Sequence, residues 1–292
     1  MNVRPATRED LAAIAELFGS VEEAVNGRPS RLDAIAVDGW LHTIAFDTNT
    51  WLFEEDGGVV AGAFAQPFGS RGNCAGAVRP AAWGRGLGTQ LVELMESRLA
   101  EDAVERIHSW TVAGDAGAEE LFRTRGFREV RRFWEMAIDF EEETPEPSVS
   151  VEPFVEADAE TFHSALEESF ADHWEHEPES FDEWWTRQQR RTNFDPSLWF
   201  VIRDGDEIAG LARNEARPPV GWVGALGVRQ AWRGRGFGRA LLLHSFREFR
   251  RRGLTSAALG VDAANATGAT YLYESVGMHT AEENVVWEKD LA

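Results

Sequence analysis

The sequence predicts a mixed α/β protein built from two tandem copies of one unit, and three observations carry this. Landmark glycines recur at a nearly constant separation: Gly86 and Gly236 are 150 residues apart, and Gly126 in "LFRTRGF" and Gly277 in "LYESVGM" are 151 apart. Recurrence at a fixed interval is the mark of a repeated structural unit. Each half carries two apolar runs around an Asp-Gly turn, "WLFEEDGGVVAGAFAQ" and "LWFVIRDGDEIAGLARN", which is a hairpin pattern. Each half then runs through a further strand into a glycine-rich stretch that opens a helix. A length of 292 residues accommodates two ordinary domains.

Taken in order, each half opens with a short strand, "NVRPA" or "SVEPF". An amphipathic helical pattern follows, at Arg8–Phe18 and at Ala157–Phe170. A second helical, aromatic-rich region leads to the hairpin. The next strand ends at Val78 or Val228, and the glycine stretch opens a helix at Leu87–Ala100 or Phe237–Arg252. Strand, helix and strand complete the unit, giving the order βααβββαβαβ. Between the halves, "EEETPEPSVS" is acidic and proline-bearing, as linkers are. The division read from the sequence is 1–143, a linker at 144–150, and 151–292.

Composition narrows the functional classes. An apolar content of 43% suits a sizeable core. No run reaches the roughly 18 apolar residues of a membrane helix. The polar start "MNVRPATRED" shows no secretory pattern, and the single cysteine, Cys74, excludes an internal disulfide framework. A soluble cytoplasmic protein, monomer or homodimer, is expected. The formal net charge of −21 argues against general nucleic-acid binding. Lys289 is the only lysine beside 28 arginines, a bias that suits specific guanidinium–anion pairing as well as GC-rich coding.

The stretch "WRGRGFGRALL", Trp232 to Leu242, places three glycines at alternate positions where a helix begins. Glycine is a poor helix former, so a close approach to the backbone is the physical reason to keep it there. A glycine turn between a strand and a helix N-terminus presents free N–H groups and partial positive charge. Gly234, Gly236 and Gly238 leave room for a diphosphate, and Arg233, Arg235 and Arg239 add fixed charge. The turn lacks the Gly-Lys-Ser/Thr ending of a P-loop, and its spacing and position differ from the dinucleotide fingerprint. "WGRGLGTQLV" at Trp83–Val92 repeats the pattern in the first half.

These residues carry a family resemblance. "RGRGFG", Arg233 to Gly238, is similar to the Gln/Arg-x-x-Gly-x-Gly/Ala motif of the GNAT acetyltransferase superfamily. "NATGATYLYESVGM", Asn265 to Met278, resembles the motif that follows it there. The likeness covers both halves, so the chain resembles tandem GNAT proteins of the mycothiol-synthase-like arrangement. The resemblance implies a fold in which strands four and five of each unit part to admit the pantetheine arm of acetyl-CoA. It implies acetyl-CoA as cosubstrate, transfer to a primary amine of a small molecule, and no metal. The cofactor contacts it implies are Val228, Arg233, Gly234, Arg235, Gly236, Phe237, Gly238, Arg239 and Asn265, with Arg85, Gly86 and Gly88 in the first half. Asn265 is expected to cap the following helix or to bind the CoA arm.

Transfer from a thioester to an amine needs a proton acceptor for the amine, a donor for the oxyanion and a proton for the leaving thiolate. By the resemblance, Tyr273 supplies that last proton, whereas a packed helix aromatic is the plainer reading of the same residue. Phe122 stands at the matching place in the first half and has no proton to give, Asp115 stands near the asparagine position, and Trp83 replaces the first arginine. The first half is therefore read as structural or ligand-binding, and the second as catalytic. Candidate bases are Glu215 and, in "FADHWEHEPESFDEWW", His173, Glu175 and His176. That acidic, tryptophan-rich segment is expected to receive a cationic or amine-bearing acceptor, with an exposed amphipathic helix pair as the alternative. The "HWEH" spacing is not assigned to a metal. A CoA-loaded sensor or partner module without catalysis is the alternative function.

Overall fold

The computed structural model describes residues 1–265 and 268–291. The first half runs β1 (Asn2–Arg4), α1 (Leu11–Asn26), α2 (Ala34–Leu41), α3 (Phe46–Asn49), β2 (Thr50–Glu55), β3 (Gly58–Phe68), β4 (Arg71–Val78), α4 (Leu87–Glu101), β5 (Arg106–Val112), α5 (Ala116–Thr124) and β6 (Arg128–Asp139). The second repeats the plan with β7 (Glu152–Pro153), α6 (Ala159–Phe170), α7 (Phe181–Gln189), β8 (Trp199–Asp204), β9 (Glu207–Arg217), β10 (Val220–Val228), α8 (Phe237–Arg251), β11 (Ser256–Asp262), α9 (Ala269–Ser275) and β12 (His279–Asp290). The expected mixed α/β class is present and the second half has the expected element order, whereas the first half adds α3 and its α1 runs Leu11–Asn26 where Arg8–Phe18 was expected.

Local chemistry accounts for the boundaries. α1 buries Ile14, Ala15 and Leu17 on one stripe and stops at Gly27, whose left-handed backbone lets its N–H reach the Glu23 carbonyl. The β2–β3 hairpin turns at Asp56 and Gly57, both with positive φ, as a tight primed turn demands. α7 begins at Ser180, whose hydroxyl caps the helix while the Glu183 carboxylate reaches back to the Ser180 N–H.

The chain forms two compact units, and their membership departs from the linear division at 143 and 151. One unit is Met1–Phe133 with the residues from Glu282 onward, and the other is Trp134–Ala281. In the first unit the strand order is β1-β2-β3-β4-β5, and Asn284–Asp290 of β12 pair antiparallel with Val112–Arg106 of β5. Val285 and Trp287 lie in its core beside Leu91, Met95 and Ile107. Trp287 stacks on Phe122 with ring centroids 5.8 Å apart, and its indole N–H donates to the Thr111 hydroxyl. In the second unit the order is β7-β8-β9-β10-β11 with the later part of β6 beside β11. Met136 of β6 packs there with Phe162, Leu211 and Leu242. Each unit thus takes its closing strand from the other half of the sequence. A repeat search cannot see this, because the exchanged strands keep the same place in the linear order.

Trp287→Ala tests the exchange. Removing a fully buried tryptophan should cost about 3–5 kcal/mol. The loss should fall on the first unit, read as faster amide hydrogen exchange in β5 and α5 with α8 and β10 still protected. Loss confined to α8 and β10 would mean that β12 closes the second unit.

Candidate active site

The site is built where two parallel strands of the second unit part. β10 pairs with β11 only from Val220/Ser256 to Trp222/Ala258, although both strands run further. On its other edge β10 stays paired with β9, with a shift of register between Val223 and Ala225. The extra residue, Gly224, bends the strand there, as a β-bulge does. Val228 ends β10, and a short 3-10 turn leads to the glycine stretch and α8.

Gly234 and Gly236 both have positive φ, and a Cβ added to either meets nothing within 4 Å. Their missing side chains therefore serve the backbone conformation and leave the approach open. The first intrahelical bond of α8 runs from the Ala240 N–H to the Gly236 carbonyl. The N–H groups of Phe237, Gly238 and Arg239 thus have no intrahelical acceptor, an arrangement that suits an anion. Gly238 serves packing: a Cβ there would stand 3.0 Å from Leu272 of α9, so its contribution to a ligand is limited to its N–H. Arg233 donates through Nε to the Val228 carbonyl. Arg235 lies 3.4 Å from Asp204, and Arg239 is exposed with no ion pair among the described residues. Asn265 precedes α9 but does not hold its N-cap position, which Gly268 occupies.

Tyr273 and Tyr271 separate as helical spacing requires. Tyr271 is 77% exposed and Tyr273 only 7%. Tyr273 belongs to the core cluster of the second unit, which also holds Val223 of β10 and Leu259 and Val261 of β11. Its neighbour Leu272 is the residue that stands against Gly238 at the start of α8. Burial pushes the Tyr273 hydroxyl up to about 12, so it keeps its proton at neutral pH.

Glu215, on β9, is buried and bound on every side. Its Oε1 meets Arg213 and Arg191, each at 2.9 Å, while its Oε2 meets Arg217 and the Asn193 amide, each at 3.0 Å. Burial opposes its charge, but the pull of Arg213, Arg217 and Arg191 outweighs that and brings it down to about 2. A carboxylate held so low is a poor proton acceptor at neutral pH. His173 lies elsewhere: its ring packs on Phe170 with centroids 4.4 Å apart, and the charges it feels include Asp262 of β11 and Arg233 of the glycine turn. Desolvation is the main cause that lowers its pKa below the usual histidine value, the direction that favours the neutral ring.

The acidic segment 170–185 is spent largely on structure. Glu179 pairs with Arg187, Glu183 caps α7, and His176 contacts Glu167 at 3.1 Å. Trp184 is a core residue, and Trp185 lies in an aromatic cluster with Phe154, Phe194 and Trp199. Sequence reading passed over Arg191, Arg213 and Arg217. The signal for two of them was "RNEAR", in which Arg213, Glu215 and Arg217 alternate and so share one face of a strand.

The first unit repeats the backbone device with different side chains beside it. β4 parts from β5 after Cys74/Ser109, and Gly84 and Gly86 repeat the positive φ. The Trp83 indole donates to the Val78 carbonyl, the contact that Arg233 makes with Val228. Arg85 is held by Glu55 through two bonds of 2.8 and 2.9 Å. Gly88 faces Leu121 as Gly238 faces Leu272. Phe122 is buried, Asp115 caps α5, and β3, "GVVAGAFAQPF", carries no charged residue. Cys74 is buried, which pushes its thiol up to about 12 and leaves it inert.

Comparison with known proteins agrees with this geometry. The model of the acetyltransferase (GNAT) family matches twice, at residues 14–127 and 159–278. Over 265 residues the chain is 29% identical to a mycothiol acetyltransferase of Thermobifida fusca, covering 80% of each protein. It is 32% identical over 240 residues to that of Acidothermus cellulolyticus, covering 73% of this chain and 69% of the relative. A GCN5-related N-acetyltransferase from Sphaerobacter thermophilus superposes with a TM-score of 0.85 at 30% identity, covering 99% and 95% of the two chains. A tandem GNAT protein from the clavulanic acid biosynthesis pathway shares the fold, with a TM-score of 0.74 at 14% identity, covering 99% of this chain and 98% of that one.

Glu215→Gln separates a charge anchor from a free base. It leaves three nearly buried guanidinium groups without their carboxylate and should destabilise the protein by about 3–5 kcal/mol in urea titrations. Unchanged stability together with lost turnover would instead mark Glu215 as the base.

Proposed function

The chain belongs to the GNAT acetyltransferase family, and from that premise we propose that its second unit transfers the acetyl group of acetyl-CoA to a primary amine of a small-molecule acceptor. The observation that carries the proposal is Tyr273, buried in the core of the second unit with its hydroxyl pushed up to about 12. In the proposed reaction the diphosphate of acetyl-CoA lies against the glycine turn and the N-terminus of α8. The thioester reaches into the parting beside the Gly224 bulge. The deprotonated amine attacks the carbonyl carbon, a C–N bond forms, and the tetrahedral intermediate expels the thiolate. Tyr273 gives that sulfur its proton, and the acylated nitrogen sheds its second proton through water to restore the tyrosine hydroxyl. No covalent intermediate on the protein is needed.

His173 is the proposed acceptor of the amine's proton, directly or through water, since Glu215 is held near 2 by its arginines. The first unit is proposed to be structural or CoA-binding without catalysis. We place the enzyme in the cytoplasm, acting on a small molecule, as a monomer or homodimer. The alternative, a non-catalytic CoA-binding module, would show CoA affinity without thiol release from acetyl-CoA across a panel of amines.

Tyr273→Phe should lower turnover about 10²–10⁴-fold, the usual worth of a general acid, and leave acetyl-CoA affinity within a few-fold. Gly236→Val should weaken CoA binding in calorimetry, because a β-branched residue cannot take the backbone conformation that opens the turn. Turnover undiminished by Tyr273→Phe would remove that residue from the mechanism.

The pH profile tests His173. With its pKa below 6.5, kcat/KM should fall on the acid side of that value as the ring takes a proton. His173→Gln should abolish this acid limb and lower the plateau. An unchanged limb in the variant assigns the proton to another group.

A further inference from the structure

Three arginines of the second unit share one carboxylate. Arg191, Arg213 and Arg217 have side chains only 11, 14 and 14% exposed, and each is paired with Glu215, itself 5% exposed. No second acid pairs with any of them among the described residues. The Arg191 Nε is buried without a hydrogen-bond partner. Arg213 contacts the Gln188 amide oxygen at 3.4 Å and the Gly224 carbonyl at 3.3 Å, both neutral, and Arg217 stacks on Trp222 at 4.4 Å. Nearby Arg187 is neutralised by Glu179 and adds nothing to the balance. The group therefore carries about two positive charges in excess, under cover, in a protein whose formal net charge is −21.

Buried charge without a counter-charge is costly, and structures keep it where a partner of opposite sign arrives. The location says which partner. A Cβ on Gly224 would stand 2.9 Å from an Arg213 nitrogen and 3.2 Å from Glu215 Oε1, so the cluster lies directly against the bulge at which β10 leaves β11. The glycine turn that faces a diphosphate lies beyond Val228, at the far end of the same strand. The first unit, with no charge on β3, has no counterpart of the cluster.

We propose that Arg191, Arg213 and Arg217 form an oxyanion-binding subsite, and that the acceptor amine carries a carboxylate or phosphate held there. Its role as an acceptor subsite rests on the acetyltransferase reading above; its existence rests on the charge balance. The expectation of a cationic or amine-bearing acceptor met by the acids of segment 170–185 narrows to an amine whose anionic end is fixed by guanidinium groups. Planar guanidinium groups suit both oxyanions, since two parallel N–H donors match two oxygens.

The experiment has two arms. In the first, acetyl transfer is measured for L-amino acids against their carboxamides and for O-phosphoethanolamine against ethanolamine. At least one oxyanion-bearing amine should exceed its neutral partner about tenfold or more in kcat/KM, and the responding pair tells carboxylate from phosphate. Arg191→Gln should bring the two members of that pair to parity, mainly by raising KM. In the second arm, calorimetry with inorganic phosphate at constant ionic strength and saturating CoA should show binding that Arg191→Gln and Arg217→Gln each abolish. Both variants should melt no lower than the wild type, since each removes one surplus buried cation. Should either fail to fold, the wild-type comparison of acids with amides still decides. Phosphate binding lost in the variants while no amine is acetylated upholds the subsite and removes the acetyltransferase reading. Neutral amines matching or exceeding their oxyanion partners, with no phosphate bound at the arginines, overturns the proposal.

Discussion

The parting of β10 from β11 is the constraint on which the rest of the second unit depends. Parallel strands normally hold each other by evenly spaced hydrogen bonds. Here that ladder ends at Trp222 and Ala258, and β10 is carried onward by β9 alone. The edges turned to the gap keep N–H and C=O groups that need partners. Three neighbours then become intelligible together. The bulge at Gly224 bends β10 outward. The glycine turn lets α8 start with its N–H groups presented. Tyr273 of α9 shares one core cluster with Val223 of β10 and with Leu259 and Val261 of β11. Closing the strands would remove the place where each of these acts.

The two units share a backbone device and differ in the side chains beside it. Both have the parted strands, the two left-handed glycines and the helix that follows. Even the tie from the turn to the strand end is kept by different means, an arginine Nε in one unit and a tryptophan indole in the other. The side chains differ around it. Phe122, stacked on Trp287 in an apolar core, replaces a tyrosine, and an uncharged strand replaces Arg213, Glu215 and Arg217. In the first unit β3 and β4 pair in unbroken register from Ala61/Val78 to Phe68/Arg71, so the strand lacks the extra residue that bends β10.

Local patterns were legible in the sequence because their causes are local. The Asp-Gly hairpins, the glycine turns and the 11-to-16-residue helices follow from residues a few positions apart. α8 begins at Phe237 and ends one residue short of the expected Arg252. Tyr273 could be told from Tyr271 by helical spacing alone. The features that escaped depend on distant partners. The exchange of closing strands joins residues such as Val286 and Trp110, which no repeat comparison brings together. Glu215 looked like a free acid because Arg191 and Asn193 approach it from a loop more than 20 residues away. Trp184 looked like the wall of an acceptor pocket, and its burial against Phe162 and Trp199 comes from the fold of α6 over β8.

The scarcity of lysine bears on how an acidic chain handles anions. At a formal net charge of −21, the long-range field repels a phosphate-bearing ligand, but salt screens it beyond roughly 8–10 Å. Binding is then decided by cations within that radius. At the glycine turn the nearest guanidinium groups are those of Arg233, Arg235 and Arg239, all exposed. Beside the bulge they are nearly buried, and there the choice of residue matters more. Burial lowers the pKa of Arg213, yet a guanidinium starts so high that it keeps its proton. A lysine in the same place would start some two units lower, meet the same desolvation, and have only one nitrogen to divide between Glu215 and the Gly224 carbonyl. Arginine can therefore stay charged under cover and hold a fixed planar set of donors toward the point where β10 leaves β11. The same property lets one carboxylate order three cations without neutralising them.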